Sequence, residues 1–155
     1  MKIHLLRHAK TEPFSATGKD FDRQLAHKGL QQCVELRKYF KNLDATNTLF
    51  LVSTANRTQQ TYLKSFSEIP SLKSLKELYL ASSHELLAVI NSEKTLKDIF
   101  IIGHNEGISE LASYLSGQDI HMKTAQYLCL ECEVPSSEFI SGNLGVLCAK
   151  FRPEV

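Results

Sequence analysis

The stretch IHLLRHAK, residues 3–10, starts as an apolar run and ends with an arginine, a histidine and a lysine. Similar apolar runs recur along the chain, and segments with the helical spacing of apolar residues lie between them. Strands that alternate with helices are typical of an α/β domain in which helices cover both faces of a mainly parallel sheet. The sequence therefore predicts a three-layer α/β/α sandwich.

Periodicity predicts five strands and four helices. The last two strands are joined by a segment that begins Pro135-Ser136-Ser137, which favours a hairpin at the sheet edge. The first helix is expected to bury an apolar stripe that includes Leu30, Val34 and Leu36. The predicted strands cover residues 2–7, 48–53, 99–104, 127–134 and 144–151, and the predicted helices cover residues 25–43, 56–66, 83–90 and 106–115.

The size and composition fit one globular domain. The chain has 155 residues, of which 43% are hydrophobic, with only 7 Gly and 4 Pro. A domain of this length buries roughly 68–70% of its unfolded surface, so its stability needs neither a metal nor a disulfide. We find no internal repeat or linker, and we predict a single domain over residues 1–155.

The overall charge excludes a global electrostatic attraction to polyanions. Lys and Arg number 18 against 17 Asp and Glu, for a net charge of +1, so any preference for anions must be local. The first residues, MKIHLLRHAK, are too short and too quickly charged for a signal peptide, and no apolar run approaches the length of a membrane span. We expect a cytoplasmic protein without nucleic-acid or membrane partners.

Cys129 and Cys132 form a C-x-x-C pattern, which in other contexts indicates a redox or zinc site. In a strand over this segment the two thiols point to different faces, because Cys132 shares a face with Leu128 and Leu130. No second C-x-x-C or C-x-x-H supplies further ligands. Core or surface thiols are therefore favoured over a metal site.

Charged residues follow three of the predicted strands. The first strand ends in Arg7-His8, the second is followed by Arg57, and the third long apolar run ends in Gly103-His104-Asn105. Open α/β sheets bind ligands at the carboxyl ends of their strands, where the N–H groups of following helices add anion donors. These residues predict a local anion site, most naturally for phosphate.

The two residue types suit different tasks at a phosphate. The planar guanidinium of arginine binds two phosphate oxygens and stays charged at any working pH. A neutral imidazole is a nucleophile, and neighbouring cations keep it neutral because they lower its pKa. A histidine among arginines can therefore accept a phosphoryl group and pass it to water.

At these residues the sequence resembles the histidine phosphatase superfamily, which includes the phosphoglycerate mutases and acid phosphatases. The resemblance extends over most of the chain up to residue 117, and the segment after residue 120 adds little to it. The matching pieces are LLRHAKTE (5–12), DRQLAHKGLQQ (22–32), STANRTQQT (53–61) and IIGHNEGISELASYLSG (101–117).

The resemblance implies a phosphoglycerate mutase-like fold and specific roles for the site residues. His8 matches the nucleophile that becomes phosphohistidine, and Arg7 and Arg57 match the two phosphate-binding arginines. His104 matches the second histidine, which donates to the transferring phosphoryl group, and Asn105 is expected to contribute through its backbone N–H. The family implies no metal and no organic cofactor.

Many members of this family use a carboxylic acid to protonate the leaving oxygen. Glu77, at the end of a possible short strand, is the main candidate, with Glu85 and Glu106 behind it, although each can equally be a solvated surface charge. The imidazole of phosphohistidine, with a reference pKa of about 6.5, leaves far more easily than an alkoxide. A weak or absent acid would therefore favour N-phosphorylated substrates over phosphate esters.

Other polar residues near the predicted site have less specific interpretations. Lys10 either extends the phosphate site or lies at the surface. Asp20 and Arg23 precede the first helix and are interpreted as a capping cluster rather than as a contact to a protein substrate. The hydroxyl of Ser53 is expected to hydrogen-bond the loop rather than to take part in chemistry.

The short gap between Arg57 and His104 leaves room for little more than a strand and a helix, so the site should be open. By size and by LYLASSHELL (78–87) the chain resembles the compact branch of bacterial phosphohistidine phosphatases that act on phosphorelay domains. The resemblance implies a phosphatase with a covalent phosphohistidine intermediate, a phosphorylated protein domain as substrate, and a role in signal transduction. Two alternatives stay open: a small-molecule phosphomonoesterase or mutase, and a catalytically silent domain that binds phosphorylated partners. The oligomeric state is not predicted.

Overall fold

A six-stranded sheet forms the centre of the computed structural model, which describes residues 1–66, 68–69 and 71–155. Four strands in the middle and at one edge run parallel, and the last two form an antiparallel pair at the other edge, as predicted. The strands are β1 (Lys2–Arg7), β2 (Thr48–Ser53), β3 (Leu72–Leu75), β4 (Asp98–Gly103), β5 (Tyr127–Cys132) and β6 (Gly145–Phe151), and their order across the sheet is β3-β2-β4-β1-β5-β6.

Helices cover both faces of the sheet, which confirms the three-layer α/β/α architecture. They are α1 (His27–Tyr39), α2 (Asn56–Ser65), α3 (Ser83–Glu93) and α4 (Gly107–Ser116). Helices α1 and α2 pack together on one face, and α3 and α4 pack together on the other. Within the described ranges, no helix combines the length and the apolar composition that crossing a membrane requires.

The two faces of the sheet bury different side chains. The face under α3 and α4 is mostly aliphatic and includes Leu5, Ile101 and Leu111. The face under α1 and α2 is rich in aromatic rings, and Phe50 and Phe100 stack there with centroids 4.6 Å apart. Alternation along the strands produces this division, because successive side chains point to opposite faces.

Helix α1 keeps only part of the predicted apolar stripe, because Leu36 is fully buried as predicted but the other two named members are not. Leu30 and Val34 are 40% and 53% exposed, whereas Gln32 is fully buried beside Cys33. Gln32 is inside because its side-chain oxygen accepts a hydrogen bond from the backbone N–H of Lys10 at 2.8 Å. A specific polar contact therefore decides the orientation of this helix, which its apolar periodicity alone does not predict.

The thiols of Cys129 and Cys132 lie on opposite faces of the sheet, as the alternation predicted. The sequence did not indicate the neighbour that Cys129 has. The sulfur of Cys148, on β6, lies 3.1 Å from that of Cys129, across a register shift between the two strands. In the described part of the chain, no group of three or more histidine, cysteine or acidic side chains could hold a metal ion.

Candidate active site

The predicted strand ends meet at one edge of the sheet. Arg7 lies beside Gly103 at the ends of β1 and β4, and the His8 N–H donates to the Gly103 carbonyl at 3.1 Å. The ring centroids of His8 and His104 are 5.4 Å apart. Arg57 reaches the same place from the first turn of α2. The structure thus brings Arg7, His8, Arg57 and His104 into one pocket of about 270 Å³.

Side chains from two helices position the backbone that follows His8. The N–H of Ala9 donates to the hydroxyl of Thr61 on α2 at 3.0 Å, and the N–H of Lys10 donates to Gln32 on α1 at 2.8 Å. These bonds tie the loop after β1 to both helices. The side chain of Lys10 lines the pocket, so it adds positive charge at the mouth.

Two glycines allow close approaches that bring the motifs together. A Cβ on Gly29 would lie 2.0 Å from the Lys10 carbonyl oxygen, and a Cβ on Gly107 would lie 1.8 Å from the Ala81 carbonyl oxygen. Any larger residue would push α1 away from the loop after β1, or α4 away from the loop before α3. Gly29 in the segment DRQLAHKGLQQ and Gly107 in the segment IIGHNEGISELASYLSG are therefore required for the packing of the pocket.

The orientation of the His8 ring leaves one nitrogen available for attack. Its Nδ1 lies 2.8 Å from the Ala9 carbonyl oxygen. A carbonyl only accepts hydrogen bonds, so Nδ1 carries the proton and Nε2 keeps its lone pair. His8 thus has the tautomer that a nucleophilic imidazole requires.

Both histidines of the pocket are neutral at physiological pH. Burial lowers the pKa of His8 to about 3, and the charges of Arg57 and Arg7 contribute to the lowering against the opposing effect of the Ala9 hydrogen bond. Burial likewise lowers the pKa of His104 to about 3, followed by the effects of His8 and Arg57. A neutral nucleophile is therefore present over the whole working pH range.

The two arginines are each held by the protein through Nη groups and share a buried Nε without a partner. Arg7 donates from Nη1 to the Met122 carbonyl at 3.0 Å, and its Nε is buried without a partner. Arg57 donates from Nη1 and Nη2 to Asp20, and its Nε is also buried without a partner. Buried unpaired donors on cations are costly unless an anion completes them. Both guanidinium groups are therefore fixed by the protein and left with capacity for a phosphate.

His104 is oriented by the last residue of β2. Its Nε2 lies 2.7 Å from the Ser53 hydroxyl, which also accepts the Ala55 N–H at 3.4 Å. When the hydroxyl donates to Nε2, the proton of the neutral ring resides on Nδ1, which is buried and unpartnered. His104 can then donate to a phosphate oxygen. The Ser53 hydroxyl contacts the loop through Ala55, as the sequence predicted, but its shorter contact is with His104, which the sequence did not predict.

Asp20 has a role at the site that the sequence did not predict. Its carboxylate accepts hydrogen bonds from Arg57 at 2.9 Å, Arg23 at 3.0 Å and the Tyr79 hydroxyl at 2.5 Å, and its backbone carbonyl accepts a second bond from Arg57 at 2.8 Å. Burial raises the pKa of Asp20, but the bonds from Tyr79, Arg57 and Arg23 outweigh it and hold the pKa well below its usual range. The carboxylate is therefore ionised and positions Arg57.

The segment after residue 120, whose role the sequence left open, forms one wall of the site. The carbonyl of Met122 accepts bonds from Arg7 and from the side-chain amide of Asn105, both at 3.0 Å. Asn105 also accepts a bond from the Ser109 hydroxyl at 2.5 Å, so its side chain ties the helix to this wall. Asn105 and Thr124 both line the pocket.

The three glutamates considered as proton donors lie outside the residues that line the pocket. Glu77 is exposed on a single 3-10 turn that follows β3, rather than at the end of a strand. Glu85 accepts the Ser82 N–H at 2.8 Å in a capping box at the start of α3. Glu106 is exposed before α4, where its charge acts on Arg7. Among the described residues that line the pocket, Asp20 alone carries a carboxylate.

The arrangement can hold a phosphoryl group against His8. Two guanidinium groups and one imidazole N–H can surround the equatorial oxygens, while the Nε2 lone pair of His8 can approach phosphorus. Charge stabilisation by fixed donors in a partly buried site is stronger than in water. The geometry fits transfer of a phosphoryl group to His8.

Comparisons with known proteins agree with this geometry. The family model described as histidine phosphatase superfamily (branch 1) matches residues 3–81, which is half of the chain. An uncharacterized chloroplastic protein from Arabidopsis thaliana is 31% identical over 144 residues, which covers 84% of this chain and 66% of that protein. The chain thus spans slightly less than two thirds of the length of that relative.

Solved structures share the fold across nearly the whole chain. A candidate phosphohistidine phosphatase SixA from Nakamurella multipartitia has a TM-score of 0.84 at 21% identity, covering 99% of this chain and 96% of that one. The protein histidine phosphatase SixA complexed with tungstate has a TM-score of 0.75 at 20% identity, covering 98% and 97%. At these identities the likeness shows the fold alone, whereas the family match rests on sequence. The chain belongs to the histidine phosphatase superfamily.

Proposed function

We propose that this chain is a phosphatase that hydrolyses phosphohistidine in proteins through a covalent intermediate on His8. One observation carries the substrate class: within the described lining of the pocket, the single carboxylate is Asp20, and it is already ionised by three donors. An ionised carboxylate cannot protonate a leaving group. The site is therefore suited to substrates whose leaving group departs without an enzymic acid.

The proposed reaction has two steps. In the first, the substrate ring carries a proton from solvent on its other nitrogen, the lone pair of His8 Nε2 forms a bond to phosphorus, and the bond from phosphorus to the substrate nitrogen breaks. The substrate ring therefore leaves as neutral imidazole, and His8 keeps its own proton on Nδ1. In the second, a water oxygen attacks phosphorus, the bond to Nε2 breaks, and inorganic phosphate leaves as the water proton passes to solvent. Arg7, Arg57 and His104 stabilise the charge on the equatorial oxygens in both steps.

The leaving-group argument separates the substrate classes. An imidazole with a pKa of about 6.5 can depart with little assistance, whereas an alkoxide needs a proton in the transition state. Attack by His8 on phosphohistidine also exchanges one phosphorus–nitrogen bond for another, so the first step is nearly balanced. Phosphate esters should react far more slowly at this site.

A protein substrate is supported by the exposure of the surroundings. Two residues that line the pocket are themselves exposed: Leu80, at 54%, and Lys10. A side chain that projects from a folded partner can reach such a site. We also expect the cytoplasmic location predicted from the sequence, and cell fractionation tests it.

The test compares phosphate release from a phosphohistidine-bearing protein domain and from phosphoserine, an ester whose alkoxide leaving group needs a proton. We expect the native chain to hydrolyse the phosphohistidine with a kcat/KM at least about 100-fold higher, since a general acid typically contributes 10²- to 10⁴-fold to ester hydrolysis. His8→Ala should lose both activities. Preference for the ester would favour a small-molecule phosphomonoesterase, and phosphate binding without turnover of either substrate would favour a silent binding domain.

A further inference from the structure

A second concave surface lies beside the active site. The sheet topology places it there: Phe151 at the end of β6 pairs with Tyr127 at the start of β5, and Tyr127 pairs with Leu6, the residue before Arg7. The end of β6 therefore reaches the same edge of the sheet as the active site. Two strand spacings separate β6 from β1, a distance of roughly 10 Å.

A groove of about 810 Å³ occupies this position, larger than the active-site pocket. Phe151 forms part of its lining and stacks on Tyr39 with ring centroids 4.2 Å apart. Part of the groove is therefore apolar and held in place by this aromatic packing. Arg152 donates from Nε to the Thr124 carbonyl at 3.3 Å. Since Thr124 lines the active-site pocket, Arg152 joins the two concavities.

The groove carries an excess of unpaired positive charge. Lys123, Lys150 and Arg152 line it with exposed side chains, and in the described part of the chain no carboxylate lies within ion-pair distance of any of them. Of its two acidic residues, Glu35 pairs with Lys38 at 2.8 Å. The other is Glu154, near the chain end.

Arg152 also acts electrostatically on the catalytic residues. Burial lowers the pKa of Arg7 most, the charge of Glu106 raises it, and the charge of Arg152 lowers it further. The groove and the phosphate site therefore share one region of positive potential. In a protein whose net charge is only +1, this concentration is local.

We propose that the groove lined by Lys123, Lys150 and Arg152 binds an acidic peptide segment that flanks the phosphorylated residue of the substrate. This inference rests on the proposed protein phosphohistidine substrate and adds the sequence context that the enzyme selects. An extended chain rises about 3.3 Å per residue, so about three residues span the distance from the phosphate site to Arg152. The preferred acidic side chains should lie three to five residues from the phosphohistidine.

The test uses two phosphohistidine peptides of the same length. One has aspartate or glutamate at the third to fifth positions on both sides of the phosphohistidine, and the other has asparagine or glutamine there. At low salt the native chain should prefer the acidic peptide by about tenfold in kcat/KM, because several exposed charges each contribute a modest factor. The preference should shrink as salt rises to about 0.5 M, since screening weakens exposed charges.

Two double variants test the location. Lys123→Glu/Lys150→Glu should abolish or reverse the preference for the acidic peptide. Lys41→Glu/Lys64→Glu changes the charge equally, but these two residues line neither the groove nor the active-site pocket, so this variant should keep the preference of the native chain.

Equal turnover of the two peptides by the native chain would overturn the groove proposal and leave the phosphohistidine proposal standing. Turnover of the phosphohistidine-bearing protein domain but of neither peptide would overturn the groove proposal alone, whereas turnover of none of the three substrates would overturn both proposals. A preference that survives in the groove variant would place the acidic contact elsewhere. Stronger competition by a single-stranded oligonucleotide than by the unphosphorylated acidic peptide would assign the groove to nucleic acid instead.

Discussion

His4 and His8 are four residues apart, and both are buried, yet their surroundings differ in kind. His4 lies in the aromatic layer, where it stacks on Phe100 at 5.3 Å and its Nδ1 lies 2.7 Å from the Tyr127 hydroxyl. His8 lies just past the end of β1 among arginines. Burial lowers the pKa of both, to about 4 for His4 and to about 3 for His8. Neither burial nor a lowered pKa, therefore, identifies a nucleophile.

The difference lies in what surrounds the imidazole. His4 is enclosed by rings, and its Nε2 is buried without a partner in an apolar layer that an anion cannot enter. His8 presents Nε2 to a pocket in which two guanidinium groups have unpaired buried Nε–H groups. His8 thus differs from His4 in having guanidinium N–H groups nearby that have no partner within the protein.

The largest expected effect separates these two histidines directly. His8→Ala should lower kcat/KM by at least about 1,000-fold, since removal of a nucleophile leaves only binding and charge stabilisation. His4→Phe fills the aromatic layer without the unpaired Nε2 and should keep the activity within about threefold, because volume-conserving changes cost little. Phosphate release measures both, and equal losses in the two variants would contradict the distinction.

A smaller effect is expected at Asp20, which positions Arg57 without being a reacting group. Asp20→Asn keeps the shape but weakens the bonds to Arg57, so kcat/KM should fall about 10- to 100-fold, the range for residues that orient a functional group. Affinity for inorganic phosphate, measured by calorimetry, should fall in parallel. Tighter phosphate binding in the variant would instead mean that the carboxylate competes with phosphate for Arg57.

The buried neutral histidines should also make stability fall with acid. The unfolded chain binds protons on His4, His8 and His104 below their ordinary pKa of 6.5, whereas the native state binds them only near pH 3 to 4. Stability is thus fully present above pH 6.5 and decreases as pH falls toward 4, by up to about 1.4 kcal/mol per pH unit for each histidine.

Urea unfolding at pH 7, 6 and 5 measures this slope. His8→Ala removes one of the three groups, so the slope of its unfolding free energy against pH should be shallower by about one third. The same should hold for His4→Phe, since the linkage does not depend on catalysis. An unchanged slope in both variants would contradict the neutral native state.

The smallest effect is expected at Glu77. Because this side chain is exposed and outside the pocket lining, Glu77→Gln should change the hydrolysis of both phosphohistidine and the alkyl ester phosphoserine by less than about twofold. Steady-state rates with each substrate measure it. A strong loss confined to the ester would restore Glu77 as a proton donor and favour the small-molecule alternative.

The sequence predicted the parts of the molecule that follow from short-range pattern. The strands over residues 2–7 and 48–53 have the predicted bounds. Each is an apolar run that ends at polar residues next to it in the sequence, so its ends can be predicted locally. The meeting of Arg7, His8, Arg57 and His104 followed from the rule that parallel strands present their ends at one edge.

The rest depends on contacts between residues far apart in the chain. Asp20 reaches Arg57 across 37 positions and Tyr79 across 59, and Arg7 reaches Met122 across 115. Such distant pairs produce no periodic pattern in the sequence. Asp20 was therefore interpreted as part of a capping cluster, and no role was predicted for the segment after residue 120. An acidic residue three positions before Arg23 was the one available signal.

The central claim is that His8 carries the phosphoryl group on Nε2. The direct measurement is a rapid acid-free quench of the native chain during turnover of a radiolabelled phosphohistidine protein, followed by peptide mapping and phosphorus NMR. We expect an alkali-stable, acid-labile label on His8, bonded to Nε2, that is absent from His8→Ala. Turnover with no label on His8, or a label on any other residue that survives in His8→Ala, would contradict it.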